Sequence, residues 1–224
     1  MRKRTFFQIP PVAGSSFAYL GLCATTAFWL LTADTGLAQS AGRTKNVIEN
    51  GTFDDPANPF KGWITDYEWT KNKYYSANKE HVTIVDKVDT RSKVVFPDKD
   101  EAKMETLPMP FEPGFRYRCK LDVKKGKFPM RIYFAGYKWM PGIRPHDKPE
   151  IWELRNIYRS NAAEPSGNSW CQVETSLPGA KLTDTAKNML KDVRFITLYI
   201  WTGSPAYVDN VLIEKIPDPS VKFE

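Results

Sequence analysis

The stretch FRYRCKLDV, residues 115–123, decides the fold class of this chain. Successive side chains on a strand point to opposite sides, so Phe115, Tyr117, Cys119, Leu121 and Val123 share one face and Arg116, Arg118, Lys120 and Asp122 the other. That alternation predicts a strand with one side in a core and one in water. The next run, MRIYFAGYKW at 130–139, puts Met130, Ile132 and Phe134 inside and turns Arg131, Tyr133, Tyr137 and Trp139 outward. RFITLYIW at 194–201 sets Ile196, Leu198 and Ile200 against Phe195, Thr197, Tyr199 and Trp201. The second face of these two strands is too aromatic for an ordinary wetted surface.

Outward from these strands the pattern repeats. Short β-like runs separated by Pro, Gly, Asn and Asp are predicted at 46–48, 64–68, 82–85, 93–96, 102–107, 115–123, 130–139, 151–159, 170–175, 194–201 and 206–216. This spacing predicts an all-β domain, a β-sandwich of two antiparallel sheets, over residues 42–216. One short helix is expected in LTDTAKNMLKDV, with Thr183 as its cap and Ala186, Met189 and Leu190 on one face. Residues 217–224, PDPSVKFE, are expected to form a frayed tail.

The first 41 residues run from Arg2, Lys3 and Arg4 through an apolar stretch, Phe17 to Leu31, into the small-residue segment TGLAQSAG. This is the pattern of a secretory signal, cleaved after Ala38 or Ala41 or else retained as an anchor. A secreted or periplasmic protein follows, with no stable membrane span once the signal is removed. Of the 32 basic and 26 acidic residues of the chain, 29 and 25 lie beyond position 41, a net charge of +4. Lys and Arg are sprinkled through every segment rather than gathered in a stripe, which argues against a nucleic-acid partner. In an oxidising compartment Cys119 and Cys171, each inside a strand-like run, are expected to form a disulfide between neighbouring strands or to remain as two buried thiols. The two histidines, His81 and His146, have no Cys or His at ligand spacing, so no zinc-type site is expected.

NVIENGTFDD at 46–55, Gly62-Trp63, METLPMPFEPGFRYRCKLDVK at 104–124, RFITLYIW and AYVDNVLIEKI at 206–216 together resemble the carbohydrate-binding modules of the galactose-binding-like jelly-roll type. These are cellulose- and xylan-binding modules often attached to bacterial glycoside hydrolases. The resemblance implies a jelly roll whose first and last strands lie near each other. It also implies a structural calcium that Asp54 and Asp209 could hold, the alternative being that both cap turns. The chain departs from the family in carrying Phe53-Asp54, a shorter carboxylate after the turn, and in the length of residues 136–161.

Sugar recognition needs flat apolar faces for the CH-rich side of a pyranose and planar polar groups for its hydroxyls. Tyr133, Tyr137, Trp139, Tyr199 and Trp201 meet the first need, with Arg118 and Arg131 as polar partners and Trp152 or Tyr158 supplied by the long insertion. A second group lies in DYEWTKNKYY at 66–75, with Trp69 its foremost member. The competing reading is that the insertion covers the outer face and makes a small second core; Trp63 and Trp170 are expected in the main core. No G-x-S-x-G, H-E-x-x-H or P-loop pattern occurs, and two catalytic carboxylates at a set separation cannot be counted on strands. The expectation is an exported, non-catalytic protein that binds a polysaccharide or other glycan. Its alternatives are a structural or adhesion module for envelope or matrix proteins, or a small jelly-roll glycoside hydrolase or lyase.

Overall fold

A computed structural model describes residues 45–65, 68–70, 73–75, 82–97, 102–179 and 181–222; the expected signal at 1–41 falls outside them. The strands are Trp63–Ile64 (β1), Glu68–Thr70 (β2), Lys73–Tyr75 (β3), Val82–Val88 (β4), Arg91–Pro97 (β5), Ala102–Thr106 (β6), Met109–Pro110 (β7), Phe115–Lys124 (β8), Met130–Trp139 (β9), Leu154–Arg159 (β10), Cys171–Leu177 (β11), Phe195–Thr202 (β12) and Tyr207–Pro217 (β13). The first sheet runs β1-β6-β12-β9-β10, with β7 also on β12; the second runs β11-β8-β13-β5-β4. Strands β2 and β3 form a separate hairpin. All the pairings are antiparallel, and the domain is an all-β sandwich with one α-helix, Asp184–Asp192 (α1).

The core between the sheets is made by the alternation read above. Met130, Ile132 and Phe134 of β9 and Ile196, Leu198 and Ile200 of β12 face Tyr117, Cys119, Leu121 and Val123 of β8 and Val208 and Ile213 of β13, all buried. Tyr117 is the one polar-tipped side chain in the β8 row. Its hydroxyl donates to the Pro110 carbonyl at 3.0 Å and accepts from the Glu112 amide at 3.1 Å. Burial raises its pKa to about 12, so it stays a donor that pins the approach to β8.

The two end motifs meet. The Asn46 side chain donates to the Val211 carbonyl and accepts from the Ile213 amide, both at 2.9 Å, and the Val47 amide reaches the Ile213 carbonyl at 2.8 Å. β13 carries an irregularity between Asp209 and Leu212, where Asn210 takes a φ of 51°. The Val211 amide freed there donates to Gly51 at 2.8 Å. A Cβ on Gly51 would stand 1.9 Å from the Val211 carbonyl oxygen, so the Asn-Gly pair is dictated by the closeness of this crossing. Behind it Phe53, fully buried at a φ of 58°, packs against Phe60 and Trp63.

Several expectations are corrected. Residues 46–48 do not form a strand: 47–49 make a bend, and Asn46 spends its side chain on β13. The segment expected as a strand from 151 begins instead with a 3-10 turn, Ile151–Glu153. The tail is not frayed through 217–222: Pro219–Val221 forms a second 3-10 turn, Val221 is buried, and Asp218 pairs with Arg116 at 2.7 Å. Cys119 and Cys171 are free thiols. They do sit on neighbouring strands, but the register sets Cys119 opposite Thr175 and Cys171 opposite Val123. The two are thus four residues out of step, roughly 13 Å along a strand, which no disulfide spans. α1 forms as expected, capped by the Thr183 hydroxyl on the Ala186 amide at 3.2 Å, with Leu190 buried but Met189 exposed.

Candidate functional site

The outer face of the first sheet is read off its register. Directly opposed residues share a side, so Tyr137 pairs with Phe195, Ala135 with Thr197, Tyr133 with Tyr199 and Arg131 with Trp201 between β9 and β12. On the next strand, β6, Glu105 opposes Tyr199 and Lys103 opposes Trp201. On the far side, β10 brings Leu154 to Trp139 and Asn156 to Tyr137. A register shift between Asn156 and Tyr158 then puts Arg159 opposite Ala135, so Arg159 returns to this same face.

The rings are arranged in two ways. Tyr133 and Tyr199 stack, with centroids 4.8 Å apart and planes at 25°, and the Arg159 guanidinium lies 5.8 Å from the Tyr133 ring. The Arg131 guanidinium lies 5.7 Å from the Trp201 ring. Burial raises the Tyr133 pKa, against the pull of Arg159, so its hydroxyl is neutral and able to donate. Beneath these groups is a polar floor. Glu105 is fully buried, accepting the Tyr137 hydroxyl at 2.6 Å and the Thr197 hydroxyl on the same oxygen. A carboxyl group removed from water is satisfied by such donors.

The other end of the face is covered. Ile151 and Leu154 from the long insertion pack on Ala135, Tyr137 and Phe195 as a second small core. Trp139 meets Phe195 edge-on at 5.3 Å and His146 at 5.0 Å. His146 in turn contacts Glu153 at 3.1 Å, and Glu153 accepts the Glu150 amide at 2.8 Å. The Glu150 amide and His146 together hold the Glu153 carboxyl below its ordinary pKa.

Of the residues expected to touch sugar, Tyr133, Tyr199, Trp201 and Arg131 are brought together at the open end. Tyr137, only 5% exposed, belongs to the floor, and Trp139 is half-buried under the insertion. Trp152, 39% exposed, stands at the rim with its indole bonded to Glu150. Trp69 is on β2, whose partner β3 runs beside the 151–153 turn; its side chain lies outside the described residues.

Arg118 is a correction. It lies on β8 in the second sheet and is closed by Glu214 at 2.7 Å, because alternation gives a residue's side of its own sheet and not which sheet that is. Trp170 is also not core: it lies half-buried on the second sheet, 4.4 Å from the Arg91 guanidinium. Glu105, Thr197 and Arg159 were not among the expected binding residues. The signal for Glu105 was its place between Met104 and Thr106 in a strand, visible only once β6 is known to lie beside β12.

Asp54 and Asp209 are the two carboxylates expected to hold a calcium ion. The Asp209 carboxylate meets Arg91 at 3.0 Å and accepts the Asn210 amide at 2.7 Å, so its charge is already met by a guanidinium. Asp54 is exposed. Among the described residues no three His, Cys, Asp or Glu gather as a metal site.

No protein-family model matches the chain, and no curated protein matches it. Solved structures similar to it include the CBM22-1 xylan-binding domain from Paenibacillus barcinonensis Xyn10C, at 9% identity over 81% of this chain and 97% of that one, TM-score 0.45. They also include TmCBM61 in complex with β-1,4-galactotriose, at 15% identity over 76% and 98%, TM-score 0.41. A third is the enzymatically active domain of bacteriophage CBA120 tailspike protein 4, at 14% identity over 76% of this chain but only 21% of that one, TM-score 0.42.

Proposed function

We propose that this chain is an exported, non-catalytic protein that binds a polysaccharide along the outer face of its first sheet. The observation that carries the reading is the open end of that face. There, half-buried Tyr199 and Trp201 stand beside the buried Glu105, Tyr137 and Thr197 network, with Arg131 at the edge. Aromatic rings supply the apolar contact for one side of a pyranose. The tyrosine hydroxyls and guanidinium supply directional donors for its hydroxyls. A mostly apolar surface with few convergent polar groups is what a saccharide subsite requires.

The test is retention of the purified protein on a panel of soluble and insoluble polysaccharides, beside Trp201→Ala and Tyr199→Ala variants with unchanged circular dichroism. A central aromatic contact is worth ~2 kcal/mol, about thirtyfold in affinity, and each variant is expected to lose on that order. If the wild type is retained by no polysaccharide, the reading fails, and capture of an envelope or matrix protein by the same rings replaces it.

A further inference from the structure

Beside the aromatic face is a pocket that the sugar-binding rings do not use. It opens between β10 and α1, has a volume of about 530 Å³, and is lined by Asn156, Tyr158, Arg159, Asn161, Lys181 and Thr185 among others, with no aspartate or glutamate. Pockets of ~300–1,000 Å³ suit small ligands, so one sugar residue fits. Arg159 joins the two places, since it lines the pocket and also lies over Tyr133. Its Nε donates to the Asn156 side chain at 3.3 Å. Neither Arg159 nor Lys181 enters an ion pair among the described residues, and the nearby Asp184 is turned to solvent, 3.4 Å from Lys187.

We infer that this pocket is a subsite for an anionic sugar residue of the bound polysaccharide, an inference that rests on the carbohydrate reading of the adjoining face. A neutral saccharide gives Arg159 and Lys181, both exposed, no charge to pair with. An oxyanion on the sugar ring gains charge-assisted bonds from them, and Asn156, Asn161 and Thr185 also line the pocket. A uronate carboxylate and a sulfate ester share this chemistry, and the binding assay separates them.

Affinity is measured for glucuronoxylan and for the same polymer with its carboxyl groups reduced, and in parallel for dextran sulfate and dextran. The acidic member of one pair is expected to bind about three- to tenfold more tightly than its neutral form, and that advantage shrinks as salt is added. Preference confined to the first pair identifies a uronate, and preference confined to the second a sulfate. Lys181→Gln leaves Arg159 in place and is expected to shrink the preference to about twofold or less without lowering affinity for the neutral polymer. Lys61→Gln, an equal loss of charge elsewhere on the surface, is expected to change neither.

Equal affinity for the acidic and neutral members of both pairs overturns the subsite while the aromatic face keeps its role. So does a Lys61→Gln effect as large as that of Lys181→Gln, which would mark bulk charge. Binding of no polymer at all, with Trp201→Ala indistinguishable from wild type, overturns the carbohydrate reading and the subsite with it.

Discussion

On the outer face of the second sheet, Arg91 lies between Asp122 at 2.9 Å and Asp209 at 3.0 Å, while Arg118 meets Glu214 at 2.7 Å and Lys124 meets Asp89 at 2.9 Å. On the outer face of the first, among the described residues, Arg131 pairs with the half-exposed Glu164 at 3.6 Å, and Arg159 lies over a tyrosine ring. Both faces carry aromatics beside cations; Trp170 lies nearer its arginine than Trp201 does. An aromatic-cation pair is therefore not in itself the mark of a binding face. The difference lies in the counter-charges. Where carboxylates close each cation the face is finished, and where they do not, donors and rings remain for something else.

The sharpest way to break this contrast is Arg91→Ala. Asp209 is 6% exposed, and removing its guanidinium leaves a nearly buried carboxylate facing Asp122 across the strands. Losing one partner of such a pair costs about 3 kcal/mol. Urea denaturation should show that loss, while polysaccharide affinity stays at the wild-type value. A fall in affinity without a fall in stability would put the binding face on the wrong sheet.

A smaller effect is expected on the first sheet. Glu105→Ala deprives the Tyr137 and Thr197 hydroxyls of their shared acceptor, costing about 2 kcal/mol for orphaned buried donors. Glu105→Gln keeps an oxygen in place and should recover more than half of that in the same denaturation series. If Gln is as damaging as Ala, the negative charge itself, rather than the acceptor, holds the floor together.

How far these faces were legible in the sequence depends on the kind of information each needed. The inward sets on β9 and β12 and most of that on β8 followed from period two and are buried, whereas Tyr137, Phe195 and Thr197 of the outward sets are buried too, under the insertion or in the polar floor. Alternation is silent on which strands are neighbours, and so it could not separate Arg118 from Arg131, nor see that Glu105 lies under Tyr199. Register is equally non-local: Cys119 and Cys171 reach adjacent strands but miss each other along them. Arg159 was hidden by one irregularity in β10, because a single extra residue reverses every side chain beyond it. The end motifs were legible as partners, yet the reason for Gly51, a carbonyl oxygen where its Cβ would be, belongs to the folded chain.

The smallest expected effect uses pH to compare the closed charges with the open ones. The Ser220 hydroxyl donates to Asp218 at 2.6 Å, and Arg116 adds a bond at 2.8 Å; together they hold the Asp218 pKa below its ordinary value against the opposing pull of burial. Lys124 and then Trp170 do the same for Asp89. A carboxyl whose folded pKa is depressed binds fewer protons folded than unfolded. Its contribution is thus present above the unfolded value and lost as pH falls through the folded one. Stability should therefore decline as pH drops below about 4. Asp218→Asn is expected to melt slightly below wild type at neutral pH, with the gap closing as pH falls through the lowered folded-state value, since protonation undoes the same interaction. A gap that persists in acid would mean that Asp218 acts through its hydrogen bonds in either protonation state. Closed charge would then account for less of the contrast between the two faces than the distances suggest.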